Sequence, residues 1–181
     1  MKKALSLCSL LLLSTTASAQ QSMSWDDYYL GMQVSQFNID SGPDFSTAKP
    51  VGLTLTVGEQ VHPNFAVEAR LGFGVADDTI RYQPNDTTTA ETDIELDYAV
   101  SILAKPQARV SDSVSVYALA GWSRSELSTA GGSGADSGLS YGAGFALQPA
   151  PQLDVYLDWL RLMDEEGVAL SSINLGFTYR F

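Results

Sequence analysis

Along most of the chain, apolar and polar residues alternate with a period of two. This is the pattern of strands that keep one face in an apolar medium. In residues 51–58, Val51, Leu53, Leu55 and Val57 oppose Gly52, Thr54, Thr56 and Gly58. In residues 65–75, Phe65, Val67, Ala69, Leu71, Phe73 and Val75 oppose Ala66, Glu68, Arg70, Gly72 and Gly74. Near the end, Ile173, Leu175, Phe177, Tyr179 and Phe181 oppose Asn174, Gly176, Thr178 and Arg180. The same rule places Tyr28, Leu30, Met32 and Val34 on one face, with Tyr29, Gly31, Gln33 and Ser35 opposite. It also groups Leu96, Tyr98, Val100, Ile102 and Ala104, then Leu139, Tyr141, Ala143, Phe145 and Leu147, then Leu153, Val155, Leu157 and Trp159. Residues 114–123 are apolar on both faces, and we orient them with Val116, Ala118, Ala120 and Trp122 outward.

These segments predict an all-β domain of eight antiparallel strands. The connections 59–64, 106–113 and 149–152 are short. The connections 39–50, 76–92, 124–138 and 164–169 are longer and rich in Asp, Ser, Thr and Gly, so they are expected as solvated loops. Long and short connections on opposite edges fit an up-and-down barrel.

Period alone does not say which face is inside. The chemistry of the polar face does. It holds Gly52, Gly58, Gly72, Gly74, Gly142, Gly144 and Gly176. Glycine weakens a strand and packs nothing on a solvent-facing surface. A narrow barrel interior has little room for anything larger. The same face carries Glu68, Glu95, Asp97, Asp154 and Asp158 against Arg70 and Arg180, charges able to pair in an enclosed lumen. The apolar face is broad and carries aromatics near the segment ends: Tyr28, Phe65, Phe73, Trp159, Tyr179 and Phe181. Such girdles suit a barrel whose outer solvent is lipid. A soluble sandwich with the same residues in its core is the rival, and the small, charge-paired polar face argues against it.

The first residues change the compartment. A basic start, Met1-Lys2-Lys3, precedes an apolar run over 4–13 and the small-residue exit Ala17-Ser18-Ala19. Residues 1–19 therefore read as a cleaved secretory signal peptide, 20–26 as a short N-terminal periplasmic segment, and 27–181 as the barrel domain. The apolar run is too short to span a membrane as a helix, which needs about 20 residues. The only cysteine, Cys8, lies in the signal, so no disulfide or cysteine metal site is expected in the mature chain. Loss of Lys2 and Lys3 takes the formal charge from −11 to −13. A surface this acidic repels nucleic acid, which is not an expected partner.

The chain resembles the small OmpA-like and OmpX-like outer-membrane barrels over nearly all of residues 27–181. The most specific feature is the terminal Leu175-Gly176-Phe177-Thr178-Tyr179-Arg180-Phe181. Its alternating Phe177, Tyr179 and Phe181 look like the signal read by the barrel assembly machinery of Gram-negative bacteria. The resemblance implies a location in the outer membrane, both termini on the periplasmic side and the longer connections outside the cell. It implies lipid and lipopolysaccharide as surroundings. It also implies that Glu68, Arg70, Glu95, Asp97, Asp154, Asp158 and Arg180 form a charged plug in the lumen.

No catalytic, cofactor or metal site is expected. Outer-membrane lipid hydrolases and acyltransferases use a histidine near the outer leaflet, whereas the sole histidine, His62, falls in a short connection on the opposite edge. Gly72-Phe73-Gly74 and Gly142-Ala143-Gly144 lie within strands, not at strand-to-helix turns, so they are not nucleotide-binding glycines. The acidic loops lack the ligand spacing of an EF-hand. Three roles stay open: a structural or interaction protein with a filled lumen, a narrow cation-preferring channel lined by Glu95, Asp97, Asp154 and Asp158, and a binder of an unknown surface ligand.

Overall fold

The computed structural model of the protein describes residues 27–40, 47–85, 88–129, 132–165 and 168–181, with only the backbone at 79–85, 88–92, 94, 129, 165 and 168. The expected signal peptide 1–19 and the segment 20–26 lie outside the described residues. The strands are β1 (Tyr28–Asp40), β2 (Val51–His62), β3 (Phe65–Ala76), β4 (Asp78–Asn85), β5 (Thr88–Ser111), β6 (Val114–Thr129), β7 (Gly132–Ala150), β8 (Leu153–Glu165) and β9 (Val168–Arg180). β4 continues the line of β3 after a break at Asp77 and pairs with the upper part of β5, so β3 and β4 together form one wall.

All pairings are antiparallel, and neighbours follow the order β3-β2-β1-β9-β8-β7-β6-β5-β4. The additional pairing of β3 with β5, from Phe65↔Pro106 to Gly72↔Ala99, closes the ring. The result is a closed eight-stranded antiparallel barrel. Closure satisfies the backbone of each strand on both sides over the apolar girdle, so no open edge faces it.

The predicted faces sort cleanly around most of this ring. Leu30, Met32 and Val34 on β1, Leu53, Leu55 and Val57 on β2, and Ile173, Leu175 and Phe177 on β9 are all exposed on the outer wall. Their neighbours in sequence, Gln33, Ser35, Thr54, Thr56, Asn174 and Thr178, are buried inside. On β6, Val116 and Trp122 are exposed while Tyr117, Leu119 and Ser123 are buried, which gives the doubly apolar segment the orientation adopted above.

Three departures have physical causes. First, the connections expected as loops over 76–92 and 124–138 are largely strand. β4 pairs with β5 from Asp78↔Ile94 to Asn85↔Thr88, and β6 pairs with β7 up to Thr129↔Gly132. Their Ser and Thr residues are compatible with strand geometry, and the ladder continues past the apolar girdle. Second, a register shift between Leu96 and Tyr98 turns Leu96, expected outside, into the interior, where it is 1% exposed. A bulge inserts one residue and reverses the side-chain alternation beyond it. Third, the lumen is not polar throughout. Toward the long hairpins, Phe37, Ile39, Leu96, Leu162, Met163 and Leu170 belong to one buried apolar cluster.

Gly121 on β6 marks where the interior allows no side chain. A Cβ there would overlap the carbonyl oxygen of Ile102 on the neighbouring β5, which cannot rotate away. Gly121→Ala is expected to destabilise the barrel by about 1–3 kcal/mol. Gly134→Ala, where a Cβ meets nothing within 4 Å, should leave it unchanged. Urea titration with heat-modifiable gel migration as the readout separates the two.

Candidate functional site

Four buried charges sit at the heart of the lumen. Glu68 and Arg70 are successive inward residues of β3, Lys105 comes from β5 and Asp158 from β8. Arg70 bridges the carboxylates. Its Nε and Nη2 donate to Glu68 Oε2 at 3.0 and 2.8 Å, and Nη2 also donates to Asp158 Oδ2 at 2.9 Å. Lys105 Nζ donates to Glu68 Oε1 at 2.7 Å. Two carboxylates against two cations leave the cluster formally neutral, which burial demands.

Neutral side chains complete it. Tyr29 Oη donates to Glu68 Oε1 at 2.9 Å, Tyr117 Oη to Asp158 Oδ2 at 3.0 Å, and Asn174 Nδ2 to Asp158 Oδ1 at 2.6 Å. Tyr156 Oη donates to Gln33 Oε1 at 2.6 Å. Lys105 Nζ lies 4.3 Å from the Tyr117 ring centroid, and 5.6 and 5.8 Å from those of Tyr29 and Tyr156. Three aromatic faces around one desolvated ammonium add a cation–π attraction to its ion pair. Gly58 is what admits the Tyr29 ring, since a Cβ at that position would overlap it.

Above the charges, Ser101, Ser123 and Ser140 join hydroxyl to hydroxyl at 2.6 Å across β5, β6 and β7. Ser140 Oγ also donates to Leu162 O at 2.8 Å. The apolar cluster follows above that layer. Below, at the short-turn end, a cavity of about 70 Å³ opens outward, lined in part by Lys105, Tyr156, Asp154 and Arg180.

The seven residues expected in the lumen network do not form one unit. Glu68, Arg70 and Asp158 meet in the buried cluster. Asp154 and Arg180 form a separate, partly exposed pair at 3.0 Å by the short-turn mouth. Asp97 accepts from Ser128 Oγ at 2.5 Å toward the other end. Glu95 is exposed and outside the lumen, because the bulge at 96–98 reverses the alternation that had placed it inside. Lys105 was missed: it shares the inward parity of Ala99 and Ser101, but the sequence reading ended that strand at Ala104. Tyr29, Tyr117 and Tyr156 also lie on the inward face, where charge alone does not single them out. His62 is exposed at the end of β2, beside the turn to β3, and its Nδ1 accepts from Asn64 N at 3.2 Å. Among the described residues no group of three or more His, Cys, Asp or Glu is placed to hold a metal ion.

The sequence profile described as "Outer membrane protein beta-barrel domain" matches residues 6–181. The chain belongs to this family. This outer-membrane β-barrel lies in the outer membrane, and its apolar girdle is exposed on the outer wall. Solved structures share its fold. The attachment invasion locus protein Ail of Yersinia pestis is 22% identical with a TM-score of 0.56, the match covering 85% of this chain and 97% of that one. Neisserial surface protein A is 14% identical at a TM-score of 0.60, covering 86% and 97%. OprG from Pseudomonas aeruginosa is 12% identical at 0.55, covering 84% and 95%. No curated protein matches the chain.

Proposed function

We propose that this outer-membrane β-barrel is a non-enzymatic structural or surface-interaction protein whose lumen is closed to ions. The cluster of Glu68, Arg70, Lys105 and Asp158 carries the reading: each charge is satisfied by a protein partner, and little is left to bind a passing ion. Specific contacts then fall to the hairpins that rise beyond the apolar girdle, above all β4–β5 and β6–β7. Among the described residues, Asp93, Glu95, Asp136 and Asp164 give that end an exposed acidic character. Ail, an attachment and invasion locus protein by its name, shares the fold, and a surface role of that general kind suits the hairpins here. Lipid and lipopolysaccharide surround the girdle in this reading, and the assembly machinery reads the strand bearing Phe177, Tyr179 and Phe181.

The rival, a narrow cation-preferring channel, has less support. Its carboxylate set loses Glu95 to the outer surface, and Asp158 is held by Arg70.

The test is twofold. Purified barrel in planar bilayers is expected to give no steady conductance, and a conductance lowered by Asp154→Asn would establish the channel instead. Shortening the β4–β5 and β6–β7 hairpins should leave heat-modifiable migration intact and abolish attachment to surfaces or host cells. Unchanged attachment would remove the surface role.

A further inference from the structure

The inward side chains of the lumen fall into layers along the barrel. Beyond the ionic cluster of Glu68, Arg70, Lys105 and Asp158 come hydroxyls. Ser35 and Thr54 lie 3.1 Å apart, and Ser101, Ser123 and Ser140 form their own chain. Further along the same strands the chemistry turns to hydrocarbon. Phe37 follows Ser35 on β1, Leu96 lies beyond Ser101 on β5, Leu127 beyond Ser123 on β6, and Leu170 beyond Ser172 on β9. β8 supplies Leu162 and Met163.

Simple alternation would not build this last layer. It would put Leu96 on the outer wall with Val100 and Ile102, and Met163 there with Leu157 and Trp159. A register shift between Leu96 and Tyr98, and another between Arg161 and Met163, turn both inward, to 1% and 4% exposure. A bulge interrupts the ladder and re-aims a side chain. Here two separate strands do so, and each delivers an apolar one. Leu96 comes to lie opposite Leu127, and Met163 opposite Leu170. Gly52 on β2 makes room beside them, since a Cβ there would overlap the Phe37 ring.

The layers resist ions by different physics. Charged and hydroxyl groups can exchange a protein partner for water. Lys105 of the ionic cluster already borders the cavity that opens at the short-turn end. Hydrocarbon offers a passing ion no such exchange. Space lined by leucine, isoleucine and phenylalanine stays dry, and a charge stripped of water there is costly. Apolar constrictions in channels close by this dewetting. We propose that the lumen is closed by two locks in series, and that the layer of Phe37, Leu96, Leu127, Leu162, Met163 and Leu170 keeps it shut when the ionic cluster is opened. The inference rests on the closed-lumen reading and places its decisive barrier toward the long hairpins. The barrel becomes a path for ions only when both locks give way.

Currents through the purified barrel in planar bilayers test this. Arg70→Ser with Asp158→Ser opens the ionic lock and leaves Glu68 paired with Lys105. Leu96→Ser with Met163→Ser opens the apolar lock. Each pair alone is expected to stay silent, and all four changes together to give a steady current. Leu96→Met with Met163→Leu keeps the layer apolar and should hold the ionic-lock variant silent. Heat-modifiable migration checks that each variant is folded. Met163→Ser alone in the ionic-lock variant is the milder form of the combined change, and should conduct less than it does. Current through the ionic-lock variant with its apolar layer intact overturns the proposal, because the cluster would then be the sole seal. Silence of a folded variant with both locks opened overturns it as well. A wild-type barrel that conducts steadily defeats the closed-lumen reading and the proposal with it, so the two failures are told apart.

Discussion

Arg70→Ala is expected to be among the most damaging single substitutions in the lumen, costing about 3–5 kcal/mol of barrel stability. Arg70 is 3% exposed and, among the described residues, is the one cation paired with both Glu68 and Asp158. Its removal leaves Glu68 with Lys105 and Asp158 with no ion-pair partner among the described residues. Tyr117 and Asn174 still donate to Asp158, but neutral donors do not repay the desolvation of a carboxylate. The measurement is the urea midpoint of lipid-reconstituted protein, read by gel migration. Two controls fix the interpretation. Arg180→Ala breaks the Asp154 pair, which is partly exposed, and should cost under about 1 kcal/mol. Combining Arg70→Met with Asp158→Asn leaves Glu68 paired with Lys105 and no uncompensated charge, and should restore most of the loss. Failure of that double variant to recover would mean that Arg70 acts through packing against Tyr156, whose ring centroid lies 5.8 Å from its guanidinium carbon.

The lumen could be read only partly from sequence, and the reason is geometric. Alternation is local: it follows from the pleat of one strand, so residues 51–58 and 173–181 announced their faces unaided. Register and closure are not local. That Glu68 on β3 meets Asp158 on β8 depends on a ring of pairings far apart in the chain. Composition could say only that the charges had partners somewhere inside. Bulges are the second limit. The shift at Leu96 carried Glu95 outward, and the shift at Arg161 carried Met163 inward. Neither site holds a glycine or proline to signal it. The tyrosines illustrate a third. A Tyr on the inward face reads as bulk, and only the distances around Lys105 turn three of them into a site.

The membrane assignment makes its own demand on the outer wall, which Leu157→Arg tests directly. Leu157 lies midway up β8, exposed on the outer wall, with Phe145 and Leu175 opposite it on the flanking strands. In lipid, an arginine at this depth should cost about 2–4 kcal/mol. Val61→Arg sits at the same kind of exposed position but at the end of β2, next to the short turn, and should cost only about 0–1 kcal/mol. The gradient is the diagnostic quantity. On a water-facing wall, both substitutions would fall within about 0.5 kcal/mol of zero, because surface exchanges that touch nothing rarely do more. Measured side by side in vesicles, a steep difference between Leu157 and Val61 places the hydrocarbon around the middle of β8. A flat response would mean that the girdle of Leu55, Leu157 and Leu175 is not solvated by lipid, and the inverted arrangement of faces would lose its physical cause.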